Sequence, residues 1–266
     1  MKNLKSKLNE EYYDNEFSRK LIDAEIHFSN IFLECQNKFE IGTGSYLFDG
    51  KNYEYCIDMY PKQKLLYETS SIATNILEVG TYMGHSILIM LLANPRAKIT
   101  CIDIDDTYSL PAVNYLKKEF PFSNISFIKD NSLNMLPKLK NKFDFFHIDG
   151  AHLNHTIANE FIFCINLLKN NHFLMILDDI DSCLKVKKNI EQSFPNAIFE
   201  IPECNWSNCY IKLDLPNSPN DFKKQILKFK KLTIIDFLKS YPKLFFKKIR
   251  RFPKKLIRSL FQKNKY

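Results

Sequence analysis

From residue 75 onward the chain alternates short apolar runs with longer mixed ones. The runs at 75–79, 98–103, 124–129, 143–149 and 172–178 have the length of buried strands. Helical segments are predicted between and after them, at 84–94, from Ser109 with Pro111 in the first turn, at 153–169 and at 181–193. Strand and helix in alternation predict an α/β fold, a mostly parallel sheet with helices on both faces. Two further runs near 197–202 and 208–214 are separated only by Glu203–Ser207, so they predict an antiparallel hairpin and a seven-stranded sheet. Upstream, Phe17, Leu21, Ile22, Ile26, Phe28, Ile31 and Phe32 recur at roughly helical spacing and predict covering helices. Residues 38–61 mix Gly42, Gly44 and Gly50 with aromatics such as Tyr46, Phe48, Tyr53, Tyr55 and Tyr60; they are either a wall over the site or a packed loop. A short helix over 62–73 leads into the first strand. The pattern divides the chain into a cover, 1–73, a core domain, 74–215, and a tail, 216–266.

Charge sharpens the division. Residues 223–266 hold 16 of the 38 Lys and Arg and one of the 30 acids, so this part carries +15 and the rest −7. In it, apolar residues at 234, 238, 241, 245, 249, 252, 256 and 260 recur every three or four positions among Lys and Arg, with Pro242 and Pro253 as breaks. A basic amphipathic stretch fits docking on an anionic membrane surface over 232–266. Nucleic-acid binding, or a packed helix with a solvated basic side, would give the same pattern. The seven cysteines are scattered without a CxxC pair, which predicts free thiols, a reducing compartment and no structural zinc. The first twenty residues are charged throughout, unlike a signal sequence, and no apolar run approaches the roughly 20 residues of a membrane span. The expected location is cytoplasmic, with peripheral membrane attachment through the tail.

The candidate chemistry sits at the strand ends. After the run ending Ile76-Leu77-Glu78-Val79 comes a turn, Gly80-Thr81-Tyr82-Met83-Gly84-His85-Ser86, and then a helix. Such a turn lets a ligand approach the backbone and offers helix N–H groups to an anion. Gly80-x-x-x-Gly84 does not satisfy the dinucleotide pattern G-x-G-x-x-G. Other strands end in Asp103, in Asp149-Gly150-Ala151-His152, and in Asp178-Asp179. Carboxylates repel one another and are costly to bury, so their gathering at one sheet edge implies a ligand bearing hydroxyls and a cation, or a metal. Asp103 could accept bonds from both hydroxyls of a ribose, or cap the next helix as Asp105 or Ser109 could.

With these residues in place, the stretch Glu78–Ser86 resembles the turn of catechol O-methyltransferase and related class I methyltransferases, which bind S-adenosylmethionine (SAM). Tyr82 stands where the looser motif has its middle glycine. The resemblance covers 75–180 and implies a Rossmann-like methyltransferase fold with an antiparallel last strand. By position it implies that Glu78, Gly80, Tyr82 and Ser86 flank the methionine part of SAM, Asp103 its ribose and Ser132 its adenine, with Gly84 and Asn131 also among the cofactor-binding residues. It also implies a Mg²⁺ or Mn²⁺ held by Asp149, Asp178 and Asp179, Asp179 replacing the family's asparagine. His152 stands where the catechol enzymes have a lysine, and could serve as the base. Macrocin-type sugar O-methyltransferases share this arrangement. His155 is expected to be a surface or packing residue and His147 a core histidine.

The expected activity is therefore methyl transfer from SAM to a hydroxyl of a sugar, glycan or other small polyol. A phenolic acceptor is the alternative within the class. A nucleic-acid methyltransferase and a silent SAM-binding module are the alternatives outside it. Asp149-Gly150-Ala151-His152 lacks the Asn/Asp-Pro-Pro-Tyr common in amino-methylating nucleic-acid enzymes.

Overall fold

A computed structural model describes residues 4–8, 15–203 and 208–240. Its centre is a seven-stranded sheet in the order β3-β2-β1-β4-β5-β7-β6. The strands are β1 Asn75–Val79, β2 Lys98–Asp103, β3 Asn124–Lys129, β4 Phe145–Ile148, β5 His172–Leu177, β6 Ala197–Glu200 and β7 Cys209–Asp214. β1 to β5 pair in parallel, and β7 runs antiparallel to both β5 and β6. The expected mixed sheet is thus the observed one.

Alternation along each strand divides the core in two. Ile76, Ile99, Cys101, Ile125 and Phe145 face one layer, together with α2 (Glu16–Asp23), α3 (Glu25–Glu34), α4 (Tyr60–Ser71), α5 (His85–Ala93) and α6 (Ser109–Glu119), α1 being the turn Leu4–Lys7. Leu77, Val79, Ile102, Phe146, Phe173, Met175 and Leu177 face the other. That layer contains α8 (Asn154–Asn166), α9 (Ile180–Ser193) and α10 (Pro219–Ser240), while the single turn α7 is Ser132–Met135. Hence all the helices on the cover side except α5 and α6 precede β1 in the chain.

Strand four is shorter than the predicted 143–149. Phe143 forms an isolated bridge with Leu168 instead. Asp144 turns aside and accepts from the N–H groups of Thr74 (3.0 Å) and Asn75 (2.8 Å), anchoring the start of β1. Between β3 and β4 the chain forms the turn Ser132–Met135 continued by a 3₁₀ turn, Leu136–Lys138, because Pro137 cannot donate to an α-helical ladder.

The first half of the basic tail packs on the domain. Phe229 of α10 is fully buried and lies against Phe161 (ring centroids 5.0 Å). Asn189 donates to Asp236 (2.9 Å). The apolar positions 241, 245, 249, 252, 256 and 260 lie outside the described residues.

Candidate functional site

The turn after β1 is held in a shape that few residues adopt. Gly80, Tyr82 and Gly84 all have positive φ, +86°, +44° and +66°. The clamp is Asp103 at the end of the neighbouring strand. Its Oδ2 accepts from the N–H groups of Thr81 (2.8 Å) and Tyr82 (2.9 Å) and from the Ser109 hydroxyl (3.1 Å). Its Oδ1 accepts only from Asp105 N–H (3.0 Å) and keeps acceptor capacity. A left-handed tyrosine costs on the order of 1–3 kcal/mol and persists only where its surroundings enforce it. Here its hydroxyl accepts from Glu40 N–H (2.8 Å) and its ring lies edge-on to Tyr108 (5.5 Å). Tyr82 therefore ties the 38–61 segment to the turn.

Above this turn lies a cavity of about 920 Å³, the size of a small-molecule site. Of the expected residues, Gly80, Tyr82, Asp103, Asn131, Ser132, Asp149, His152, Asp178 and Asp179 line it. Glu40 and Gly42 to Ser45 form another part of the wall, so the irregular segment does lie over the site. Three expected residues stand behind the wall. Gly84 faces Ala112 and Leu116 of α6. Glu78 is fully buried beside its β4 neighbour His147, on the sheet face that carries Ile76 and Phe145. Its Oε1 accepts from Ser86 Oγ (2.5 Å) and lies 3.0 Å from His147 Nδ1. Strand parity thus turns Glu78 toward the covering helices, and Ser86 follows it. His147 is a core histidine as expected, its Nε2 2.8 Å from the Tyr46 hydroxyl. His155 is exposed, edge-on to Phe237 (5.9 Å).

At the cavity edge beyond β3, Asn131 caps α7 by accepting from Leu133 N–H (2.9 Å). This frees Ser132, expected as an adenine contact, to donate to the buried Glu160 (2.5 Å). Burial pushes the Glu160 carboxyl up.

At the opposite end sits a group that the sequence did not reveal. Lys62, from α4, is buried and donates to both oxygens of Asp178 (3.0 and 3.1 Å). Its ammonium also lies 4.5 Å from the centre of the Tyr46 ring. Burial acts against the charge on Lys62, but Asp178 and Asp149 together hold its pKa above the ordinary lysine value. Burial acts upward on Asp178 too, and is outweighed by Lys62, so that carboxyl lies below the usual range. Burial, followed by the Asp178 charge, pushes Asp149 well above it. Asp179, left-handed at the start of α9 (φ +50°), presents its carboxylate to His152 Nδ1 (3.1 Å). This hydrogen bond is the main cause that holds the imidazole above the ordinary histidine pKa. His152 Nε2 lies 3.7 Å from Asp149.

These residues do not fit a divalent metal. A hard cation needs several oxygen ligands free to converge on it. Both oxygens of Asp178 already accept from an ammonium, and Asp179 is turned to His152. Among the described residues no three His, Cys, Asp or Glu side chains are grouped to hold a metal. The expected Mg²⁺ or Mn²⁺ ligands Asp149, Asp178 and Asp179 are therefore engaged otherwise.

His85 joins the cover to the turn. It opens α5, is buried, and has Nδ1 2.8 Å from Ser45 Oγ and Nε2 2.9 Å from the Tyr53 hydroxyl. Burial lowers its pKa to about 3. The folded protein thus leaves His85 neutral where the unfolded chain, with a pKa of about 6.5, takes a proton. Its contribution is fully present above about pH 6.5 and is lost as pH falls toward 3, by about 1.4 kcal/mol per pH unit. Urea unfolding between pH 4 and 7 is expected to show this slope in the wild type and a shallower one in His85→Gln. Equal slopes in the two proteins would mean that His85 titrates normally.

Comparison with known proteins agrees with this fold. Residues 77–180 match a family model described as a methyltransferase domain. A protein of Arabidopsis thaliana named as a caffeoyl-CoA O-methyltransferase is 36% identical over 82 residues, 29% of this chain and 35% of its own length. Tapetum-specific methyltransferase 1 of Arabidopsis thaliana is 31% identical over 88 residues, 31% of this chain and 38% of its own. The chain thus spans somewhat over a third of the length of these curated relatives. Among solved structures, the O-methyltransferase TomG of Streptomyces achromogenes in complex with SAM aligns with a TM-score of 0.52 at 15% identity, over 79% of this chain and all of that one. The SAH-bound methyltransferase PaMTH1 of Podospora anserina aligns with a TM-score of 0.53 at 14% identity, over 77% of this chain and 97% of its own. The fold is that of the class I methyltransferases, and the sequence matches a methyltransferase model over 77–180, which carries most of the cavity lining.

Proposed function

We propose that this chain is a SAM-dependent O-methyltransferase whose acceptor is a hydroxyl of a sugar, glycan or other small polyol. The observation that carries the reading is the Asp103 clamp on the Gly80–Tyr82 turn, beneath a cavity with nucleoside-type partners at one end and a His–Asp pair at the other. Gly80 and Tyr82 border the methionine part, the free side of Asp103 Oδ1 takes the ribose, and Asn131 with Ser132 takes the adenine. Glu78, Gly84 and Ser86 support the turn from behind. Bound SAM supplies a methyl group on a sulfonium, which an oxygen displaces in line, forming O–C as C–S breaks. The enzyme's share is alignment of donor and acceptor, and removal of the hydroxyl proton. Asp179 fixes the His152 ring by Nδ1, leaving Nε2 as the atom that takes that proton, beside Asp149. The test is calorimetry of SAM and S-adenosylhomocysteine (SAH) binding to the full chain. Micromolar binding supports the reading, and no binding in any condition removes it.

A phenolic acceptor is the second reading. It is favoured by the name of the caffeoyl-CoA relative and by Tyr82, Tyr108, Leu133 and Leu153 in the cavity wall. An acceptor screen with SAH release as readout separates the two.

The tail is proposed to dock on an anionic membrane surface. Leu227, Ile234 and Leu238 are exposed along α10, and Lys224, Lys228 and Lys231 are exposed among them. Apolar and basic groups on one free face suit anionic headgroups over nucleic acid, which offers the leucines nothing. No described helix is long and apolar enough to cross a membrane. Co-sedimentation with vesicles rich in anionic lipid is expected, weakening with salt. Co-sedimentation unchanged after deletion of 232–266 would refute tail docking, and binding to RNA in preference to vesicles would favour a nucleic-acid partner.

A further inference from the structure

We propose that Lys62 is a built-in cation in the place that a divalent metal would take among Asp149, Asp178 and Asp179, so that the acceptor end of the cavity works without metal. For its functional meaning the inference rests on the methyl-transfer reading above.

The argument is one of geometry and charge. Lys62 Nζ is 3.0 and 3.1 Å from the two oxygens of Asp178 and is walled off from water. The Tyr46 ring lies 4.5 Å away, a second partner suited to a cation. The surrounding helix holds the lysine in place. Gln63, the next residue, donates to the Tyr46 backbone oxygen and accepts from the Tyr55 hydroxyl (3.1 Å). Gln63 thus ties this turn of α4 to the 38–61 segment, and the tie fixes the backbone from which Lys62 reaches Asp178. A divalent cation at Asp178 would sit beside a buried ammonium bonded to both of its oxygens, and repulsion between like charges opposes its entry. The outcome is half the positive charge that a divalent metal would bring, without its open coordination positions.

This deepens the substrate assignment. A metal centre selects acceptors that chelate it through two adjacent oxygens. A site whose cation is Lys62 makes no such demand, so a single hydroxyl suffices beside Asp149 and His152. Lys62 acts through Asp178 and is a positioning residue.

The experiment is Mn²⁺ binding followed by electron spin resonance on the full chain, with folding checked by circular dichroism and SAH binding measured in parallel. The wild type and Lys62→Arg are expected to bind no Mn²⁺ at the cluster. Lys62→Met is expected to gain one site, lost again on adding Asp178→Asn. Wild-type binding of Mn²⁺ that Asp178→Asn abolishes would overturn the inference, and this arm decides even where Lys62→Met does not fold. A folded Lys62→Met that gains no site would overturn it as well. Failure to bind SAH would remove the methyltransferase reading and leave the Mn²⁺ result standing, so the two failures are distinguishable.

Discussion

Gly80→Ala is expected to abolish SAH binding and to lower the melting temperature by roughly 10 °C. A Cβ at this position would stand 2.0 Å from the Asp149 backbone oxygen, 2.4 Å from its carbonyl carbon and 2.7 Å from Gly150 N. None of these atoms is the far end of a flexible side chain, so a strand end must move. The residue also has φ +86°, which an alanine adopts only under strain. Overpacking and backbone strain each cost about 1–3 kcal/mol, so about 3 kcal/mol or more is expected in total. The movement falls on the loop that carries Asp149 and His152, so cofactor and acceptor ends fail together. Differential scanning calorimetry and SAH titration check both halves. A variant with wild-type melting and binding would mean that β1 and the Asp149 loop are not in the contact described.

Asp103→Ala is expected to weaken SAM and SAH about 100-fold, equivalent to about 2.7 kcal/mol, while leaving the protein folded. Removing the carboxylate orphans the N–H groups of Thr81 and Tyr82 and releases the Ser109 hydroxyl. A charge-assisted hydrogen bond contributes about 1.5–3 kcal/mol, and here two of them hold the turn in its binding shape. The direct contact proposed for the ribose is lost in the same step. Asp103→Asn keeps one oxygen and is expected to fall between. Binding unchanged in Asp103→Ala, measured by calorimetry, would sink both the clamp and the ribose assignment.

Both effects concern a turn that could be read from the sequence. The bounds of β1, β2 and β3, the helix from Ser109 and the antiparallel hairpin follow from local properties. These are apolar run length, period and the placing of Gly and Pro, which the chain expresses residue by residue. The same locality explains why Asp103, Asn131, Ser132, Asp149, His152, Asp178 and Asp179 meet at one cavity. Parallel strands of known direction bring their carboxyl ends to one edge.

What a side chain touches across the sheet was not written locally. Glu78 belongs to the motif, yet strand parity buries it against His147 and Ser86 instead of the cavity. Strand four gave up Phe143 and Asp144 because Leu168 and the start of β1 compete for them. The three acids read as metal ligands because they stand at strand ends where the resemblance implies a metal, while their counter-ion lies 116 residues away from Asp178, on a helix with no motif. Lys62 has the sequence signature of any surface lysine. Its partner was decided when α4 docked on the sheet face, since burying an ammonium is tolerable only where a carboxylate meets it. The sequence by itself determined the sheet, the turn and the edge where the chemistry gathers. Only the tertiary structure decided which charge sits among those acids, because burial and pairing are properties of the packed chain.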